Sequence, residues 1–251
     1  MPRATTIQSV LTQLDDIINE CVKTNSRLGL FAYIYRRTTT EIASEIALGR
    51  FEDNARLEIL DVEFANLYLD AYNAYKTNQT ISDAWKFAFI NAQEPLTIVQ
   101  HIMLGMNAHI NLDLALATAK TMTGLELNDI QKDFNNVNDI LFQIVNELQD
   151  RLSRVSPLMI LLDWVGQNED EKLIDFSMRK AREQSWNSAN LLWSLGNEHN
   201  ANTKKNIDTL VVKLSEIIKT PKTRLVQFLL KLIAKFETKD VGRIISKLKA
   251  D

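Results

Sequence analysis

His109 and Asp113 stand four residues apart in a stretch that reads as helix, and His101, Gly105, His109 and Asp113 form one stripe drifting by about 40° per step. Neighbours at i and i+4 can share a metal ion, or the carboxylate can orient the imidazole for proton transfer. The same spacing puts Asn107 and Asn111 in a second pair on roughly the opposite side. Inside a core both pairs must find partners, because an unpaired buried polar group costs about 1–3 kcal/mol. Asp61 projects with Leu57, Phe64 and Tyr68 onto the apolar face of its own helix, where a carboxylate is rarely left unpaired. Arg182 and Trp186 form another i, i+4 pair, flanking the stripe Ile174, Met178, Ala181, Ser185 and Leu192.

Two chemistries use these residue types. In a metal site His109, Asp113 and Asp61 are the ligands, and the donor set suits zinc, iron or manganese. Without a metal, His109 and Asp113 are the working catalytic pair, Asp61 an orienting carboxylate and Arg182 a planar fork for an anion, with Asn107, Asn111, Trp186 and Tyr68 as ligand contacts. The commoner use of a His and an Asp on a buried helix is a structural hydrogen-bonded network. For Asp61 the corresponding plain reading is an ion pair with Arg56 or Arg182. His101 reads as a satisfied core histidine and His199 as a solvated loop residue.

Standard signatures are missing: the sequence holds no His-Glu-x-x-His, no Glu-x-x-His, no phosphate-cradling glycine loop and no Gly-x-Ser-x-Gly. Three histidines in all argue against the multi-histidine trinuclear zinc phosphoesterases.

The elements that must position these residues are helices. Only seven glycines and four prolines occur in 251 residues, so the turn chemistry of closely spaced strands is lacking. Ile7, Val10, Leu11, Leu14, Ile17, Ile18 and Cys21 make the first apolar stripe. Further helices are expected from Leu30 to Leu48, stopped by Gly49, from near Asp53 through Ala71, and from Ile81 to Ala92. On the helix from Asp53, Glu63, Asn66 and Asp70 are expected in solvent. Between Pro95 and Ala119 the only formally charged residue is Asp113, so Pro95 to Met122 reads as a long central helix of roughly 40 Å. Its Gln, His and Asn residues make it a poor membrane span.

Gly124 ends that helix. Leu127 to Ser153, a short helix from Ser156-Pro157 to near Gly166, and Glu169 to Leu195 follow. The Gly-Asn-Glu-His-Asn-Ala-Asn-Thr stretch from Gly196 is the best linker. Amphipathic helices near Lys204 to Lys219, Lys222 to Phe236 and Lys239 to Lys249 close the chain. The expected architecture is an all-α bundle of about ten or eleven helices, with a main body over 1–197 and C-terminal amphipathic helices over 198–251 packed on it.

A hydrophobic content of 45% supports a substantial core. The formal charge of −3 argues against general nucleic-acid binding. From Val211 onward ten Lys/Arg face four acidic residues, a local net of +6 that leaves −9 on the rest. One cysteine, Cys21, gives no internal disulfide and no Cys-based zinc site, and the first residues lack an apolar signal core, so a reducing cytoplasm is the expected location.

The string Leu104-Gly-Met-Asn-Ala-His-Ile-Asn-Leu-Asp113 resembles the hallmark of a bacterial family numbered 5995 among the domains of unknown function. Gly49-Arg-Phe-Glu-Asp53, Arg56, Leu60-Asp-Val62 and Phe64-Ala-Asn-Leu-Tyr-Leu69 resemble its earlier block, and Phe176-Ser177, Ala181-Arg182 and Trp186 its later one, so that the likeness spans Phe31 to Leu195. The resemblance implies that Asp61, Asn107, His109, Asn111, Asp113, Arg182 and Trp186 belong to shared motifs. It implies no reaction or cofactor.

Three functional readings follow. The first is a pocket acting on a small molecule with His109, Asp113, Asp61 and Arg182, by hydrolysis or metal-assisted chemistry. The second is a non-catalytic cavity near Trp186, Met103 and Met106 holding an apolar or lipid-like ligand. The third sets Leu225, Phe228, Leu229, Leu232, Ile233 and Phe236 against Lys222, Lys231 and Lys235, a pattern that packs on the acidic body or lies on a membrane surface through 222–249.

Overall fold

Side-chain caps set where several of the helices begin. Thr6 and Ser9 form a capping box at the start of α1 (Ile7–Lys23), Asp53 accepts from the Arg56 N–H at the start of α3 (Asn54–Lys76), and Ser82 accepts from the Trp85 N–H at the start of α4 (Asp83–Ile90). Between α1 and α3 lies α2 (Leu28–Ala47), after which Gly49 takes φ +70°, the left-handed stop that its position suggested. The computed structural model describes residues 2–156, 158 and 178–249. Among these it contains eleven α-helices and no strand.

The central helix departs from the sequence reading at both its start and its middle. Thr97 and Gln100 form a capping box, so α5 spans Ile98–Ala108 and Pro95 lies outside it. The Thr-x-x-Gln cap satisfies orphan amides, which outweighs the preference of proline for a first turn. At His109–Asp113 the backbone widens into a π turn, with the Leu114 N–H reaching back to the His109 carbonyl, before α6 (Leu114–Thr121) resumes. Gly124, at φ +79°, follows.

Helices α2, α3 and α4 pack around this α5–π–α6 axis, together with α8 (Met178–His199) and α9 (Ala201–Lys219). Its residues Leu104, Ala108, Leu112 and Ala115 are fully or almost fully buried. The remaining elements are α7 (Gln131–Val155), α10 (Arg224–Phe236) and α11 (Val241–Lys249), the last packed on α7, α1 and α2. Gly196 kinks α8 at φ +69°, and α9 starts directly after Asn200, so the expected linker is a tight corner between two helices. Apart from Ser156 and Leu158, the expected short helix to Gly166 lies outside the described residues, as do the start of the helix from Glu169 and Phe176-Ser177.

Two buried amides tie distant segments to the frame. Gln100 donates to the carbonyls of Ile218 and Lys219, closing the C-terminal end of α9 onto the start of α5. Asn66, expected in solvent, is buried and exchanges two hydrogen bonds with the Ala4 backbone, at 2.8 and 2.9 Å. The N-terminal strap covers a second face of α3, which a single amphipathic stripe does not reveal.

Close approach of α2 to α5 depends on Gly105, where an added Cβ would lie 2.4 Å from Phe31 Cγ. Gly105→Ala is therefore expected to destabilise the fold by about 1–3 kcal/mol through overpacking, read as a drop in the urea midpoint. An unchanged midpoint would show that Phe31 moves aside freely.

Candidate functional site

His109 is held on three sides by groups from different helices. Its Nδ1 lies 2.9 Å from Asp113 Oδ2, and the same oxygen accepts from Trp85 Nε1 of α4 at 2.9 Å. The imidazole stacks on Phe64 of α3 with centroids 3.7 Å apart and planes 9° apart, and Tyr35 of α2 meets it edge-on at 4.3 Å. The π turn carries both members of the pair, and π turns are frequent at functional sites. Burial alone pushes the His109 pKa well below its ordinary value, so the ring stays neutral. Burial likewise raises Asp113 well above the carboxylate range, against the opposing hydrogen bond from Trp85.

With Nδ1 engaged, the atom His109 can offer is Nε2, which is buried and has no partner. The ring lines a cavity of about 70 Å³ between α2, α3, α7, α8 and the central axis. Asp61, Tyr35 and Arg182 line the same cavity; Asp61 Oδ2 is buried without a partner, whereas the buried Tyr35 hydroxyl has the Thr39 hydroxyl beside it one turn away. Apart from Thr38 and Met106, the rest of the wall is aliphatic and aromatic, with Leu57, Leu60, Phe64 and Phe134 among its residues.

The direct ion pair expected for Asp61 is not formed. Arg56 binds Asp53 at 2.6 Å, because a helix-capping carboxylate three residues away is within its reach. Arg182 donates from Nε to Asn138 Oδ1 at 2.6 Å and from Nη2 to the Phe134 carbonyl at 2.7 Å, with its guanidinium 4.4 Å from the Phe134 ring centre. Asp61 and Arg182 still feel one another's charge. Burial raises Asp61 from 3.8 to about 7, Arg182 opposing and Glu58 adding to the rise. Burial lowers Arg182 to about 9, with Asp61 opposing. Asp61 thus titrates near neutrality, where a general acid or base works best.

Other candidate residues lie elsewhere. Asn111 donates to Asn107 Oδ1 at 2.9 Å, and Asn107 donates to the Val211 carbonyl and Ser215 Oγ, so this pair fastens α9 and does not line the cavity. Tyr68 packs edge-on to Phe31, its hydroxyl buried and unpartnered, outside the cavity wall. Trp186 stands behind the wall against Phe134, with centroids 5.0 Å apart. Of the two methionines expected near a ligand, Met106 lines the cavity and Met103 does not. His101 Nε2 meets Arg27 at 2.8 Å, and burial drives its pKa to about 3, consistent with a neutral core acceptor.

Asp113 points to Trp85 and His109 and does not line the cavity, so the three expected metal ligands do not converge. Among the described residues no group of three or more His, Cys, Asp or Glu side chains is placed to hold a metal ion. Sequence reasoning missed Tyr35, Trp85, Phe64 and Phe134. Tyr35 and Phe64 each lie on a helical stripe, but no spacing links Trp85 to Asp113.

The Asp61 carboxyl gives a pH signature. In the fold it keeps its proton to about 7, whereas its value without burial is 3.8. The folded state therefore binds more protons than the unfolded chain between those values. This contribution to stability is complete below the lower value and is lost as pH rises to the upper one. Asp61→Asn removes the titration. It is expected to match the wild type near pH 4 and to exceed it at about pH 8 by at most on the order of 4 kcal/mol, in urea unfolding across pH. Parallel pH profiles for the two proteins would contradict the raised carboxyl.

No curated protein and no solved structure matches this chain at a significant level. The model of a family described as "Family of unknown function (DUF5995)" matches residues 7–221, from the start of α1 to beyond the end of α9. With most of its length covered by that match, the chain belongs to this family.

Proposed function

We propose that the cavity binds a small, mainly apolar molecule carrying one polar head and acts on it by proton transfer, hydrolysis being the reaction class that needs the fewest further groups. One observation carries this reading: Asp61 Oδ2 and His109 Nε2 are buried, unpartnered and located on residues lining one mainly apolar cavity. Each such atom costs about 1–3 kcal/mol in an empty fold, a cost that a ligand's complementary groups would remove. The volume of about 70 Å³ is below that of an engineered cavity that holds benzene, so the enclosed part suits a group of a few non-hydrogen atoms.

In a hydrolytic step His109 Nε2 takes a proton from water as its oxygen attacks, Asp113 holding the ring through Nδ1. Asp61 in its acid form gives a proton to the leaving group, and Arg182 offsets negative charge that develops nearby. A divalent metal would find two open donors here, His109 Nε2 and Asp61 Oδ2, fewer than the three protein ligands of catalytic zinc sites. The proposed chemistry therefore uses these side chains alone.

The apolar lining also suits a second reading, retention of an apolar ligand without turnover. A panel of small chromogenic esters and amides separates the two. At least one should be hydrolysed, with His109→Gln losing about 10²–10⁴-fold in rate while retaining its helical circular dichroism, and with a pH–rate limb near 7 that Asp61→Asn abolishes. Saturable binding with no turnover leaves the retention reading standing. No binding by any member of the panel counts against both.

A further inference from the structure

Among the described residues, helix α10 buries one edge. Val226, Ile233 and Ala234 are its buried residues, and Val226 and Ile233 form a small apolar cluster with Leu158, Leu229 and Leu230, separate from the main core. On another side of the helix Leu225, Phe228, Leu232 and Phe236 recur at spacings of three and four, forming a second apolar stripe. Leu225, Phe228 and Phe236 are 51%, 61% and 67% exposed, and Leu232 is half-buried. Two aromatic rings and a leucine on one exposed stripe are more than the scattered apolar residues of an ordinary surface.

Among the described residues, the charged side chains of the helix itself are all basic. Arg224, Lys231 and Lys235 are exposed on the flank of the stripe, with Lys222 and Lys239 at its two ends. The nearest carboxylate in sequence, Glu237, is turned inward, where it accepts from the Ile98 N–H at 2.8 Å and from the Ser156 hydroxyl. It caps the central helix and leaves the cations outside unneutralised by it. The basic bias is local, +6 from Val211 onward against −9 for the remainder. A negatively charged surface would attract this end of the molecule and repel the rest, which fixes an orientation.

We propose that α10 is a peripheral membrane-docking helix that lies in the plane of an anionic lipid surface, with Leu225, Phe228 and Phe236 inserted among the acyl chains and Arg224, Lys231 and Lys235 at the phosphates. An apolar stripe edged by lysine and arginine is the pattern by which helices bind in the interface without crossing it. Among the described residues no helix is long and apolar enough to cross a membrane. A second copy of the chain is a poorer occupant, since a two-fold contact through this stripe would bring two basic tails face to face. The docking helix is independent of the cavity chemistry and lies beyond the residues that match the family.

Co-sedimentation of the full chain with phosphatidylcholine vesicles, and with the same vesicles containing phosphatidylglycerol, tests the proposal. Wild type is expected to pellet with the anionic vesicles only, and to be released by added salt because the attraction is screened. Phe228→Ser with Phe236→Ser should weaken binding by about tenfold or more, and Lys231→Glu with Lys235→Glu should abolish it, with unchanged melting temperatures because these side chains are exposed. Wild type remaining in the supernatant with anionic vesicles overturns the proposal. So does equal pelleting of the serine variant, or light scattering that shows a wild-type dimer which Phe228→Ser dissociates.

Discussion

A hydrogen bond inside a π turn organises this molecule. His109 and Asp113 sit on a turn whose five residues are all buried, and their contact is completed by Trp85 from α4, so one carboxyl oxygen joins two elements. The bond orients the imidazole and commits Nδ1, which leaves Nε2 as the one ring nitrogen with unused capacity. Around it Phe64, Tyr35 and Phe31 supply ring faces and edges that hold the plane of the imidazole while excluding water. Such a group is costly to bury, and the surrounding packing has to bear the cost.

The cavity concentrates that cost. Asp61 and Arg182 are both buried on its wall, close enough to shift one another's protonation and yet not in a direct ion pair. A fold selected for stability alone would have joined them or replaced them with aliphatic side chains. Five polar groups outside the cavity are treated differently: Asn107, Asn111, Gln100, Asn66 and Glu237 all have good partners and act as fasteners between segments. Isolated hydroxyls such as those of Tyr68 and Ser185 also lack partners elsewhere, but an unpartnered carboxyl oxygen and an unpartnered imidazole nitrogen, Asp61 Oδ2 and His109 Nε2, belong to residues of one cavity wall, and that is the physical basis for placing function there.

The two ends of the proposed biology are physically separate. The cavity belongs to the helices gathered around the central axis, whereas the exposed stripe of α10 belongs to the basic tail. Glu237 links them structurally, because the carboxylate that ends α10 also caps the first turn of α5. The tail is therefore anchored to the central helix by its end while its exposed apolar stripe remains open.

Sequence alone determined a good deal. Periodicity, the scarcity of glycine and proline, and one nearly uncharged stretch were enough for an all-helical fold with a buried axis, and the i, i+4 rule was enough to pair His109 with Asp113 and Asn107 with Asn111. These are local properties, set within one or two turns of a single helix. Tertiary structure alone decided that His109 faces a cavity while the asparagine pair fastens a neighbour, that Arg182 turns to Asn138 and Phe134 in place of Asp61, and that Trp85 completes the His109–Asp113 contact. It also placed Asn66 under the N-terminal strap and opened the axis into a π turn. A helical wheel gives the direction of a side chain about its own axis, but its partner depends on how separate helices are rotated and translated against one another. That arrangement is set by packing across the whole core, and no short stretch of sequence encodes it.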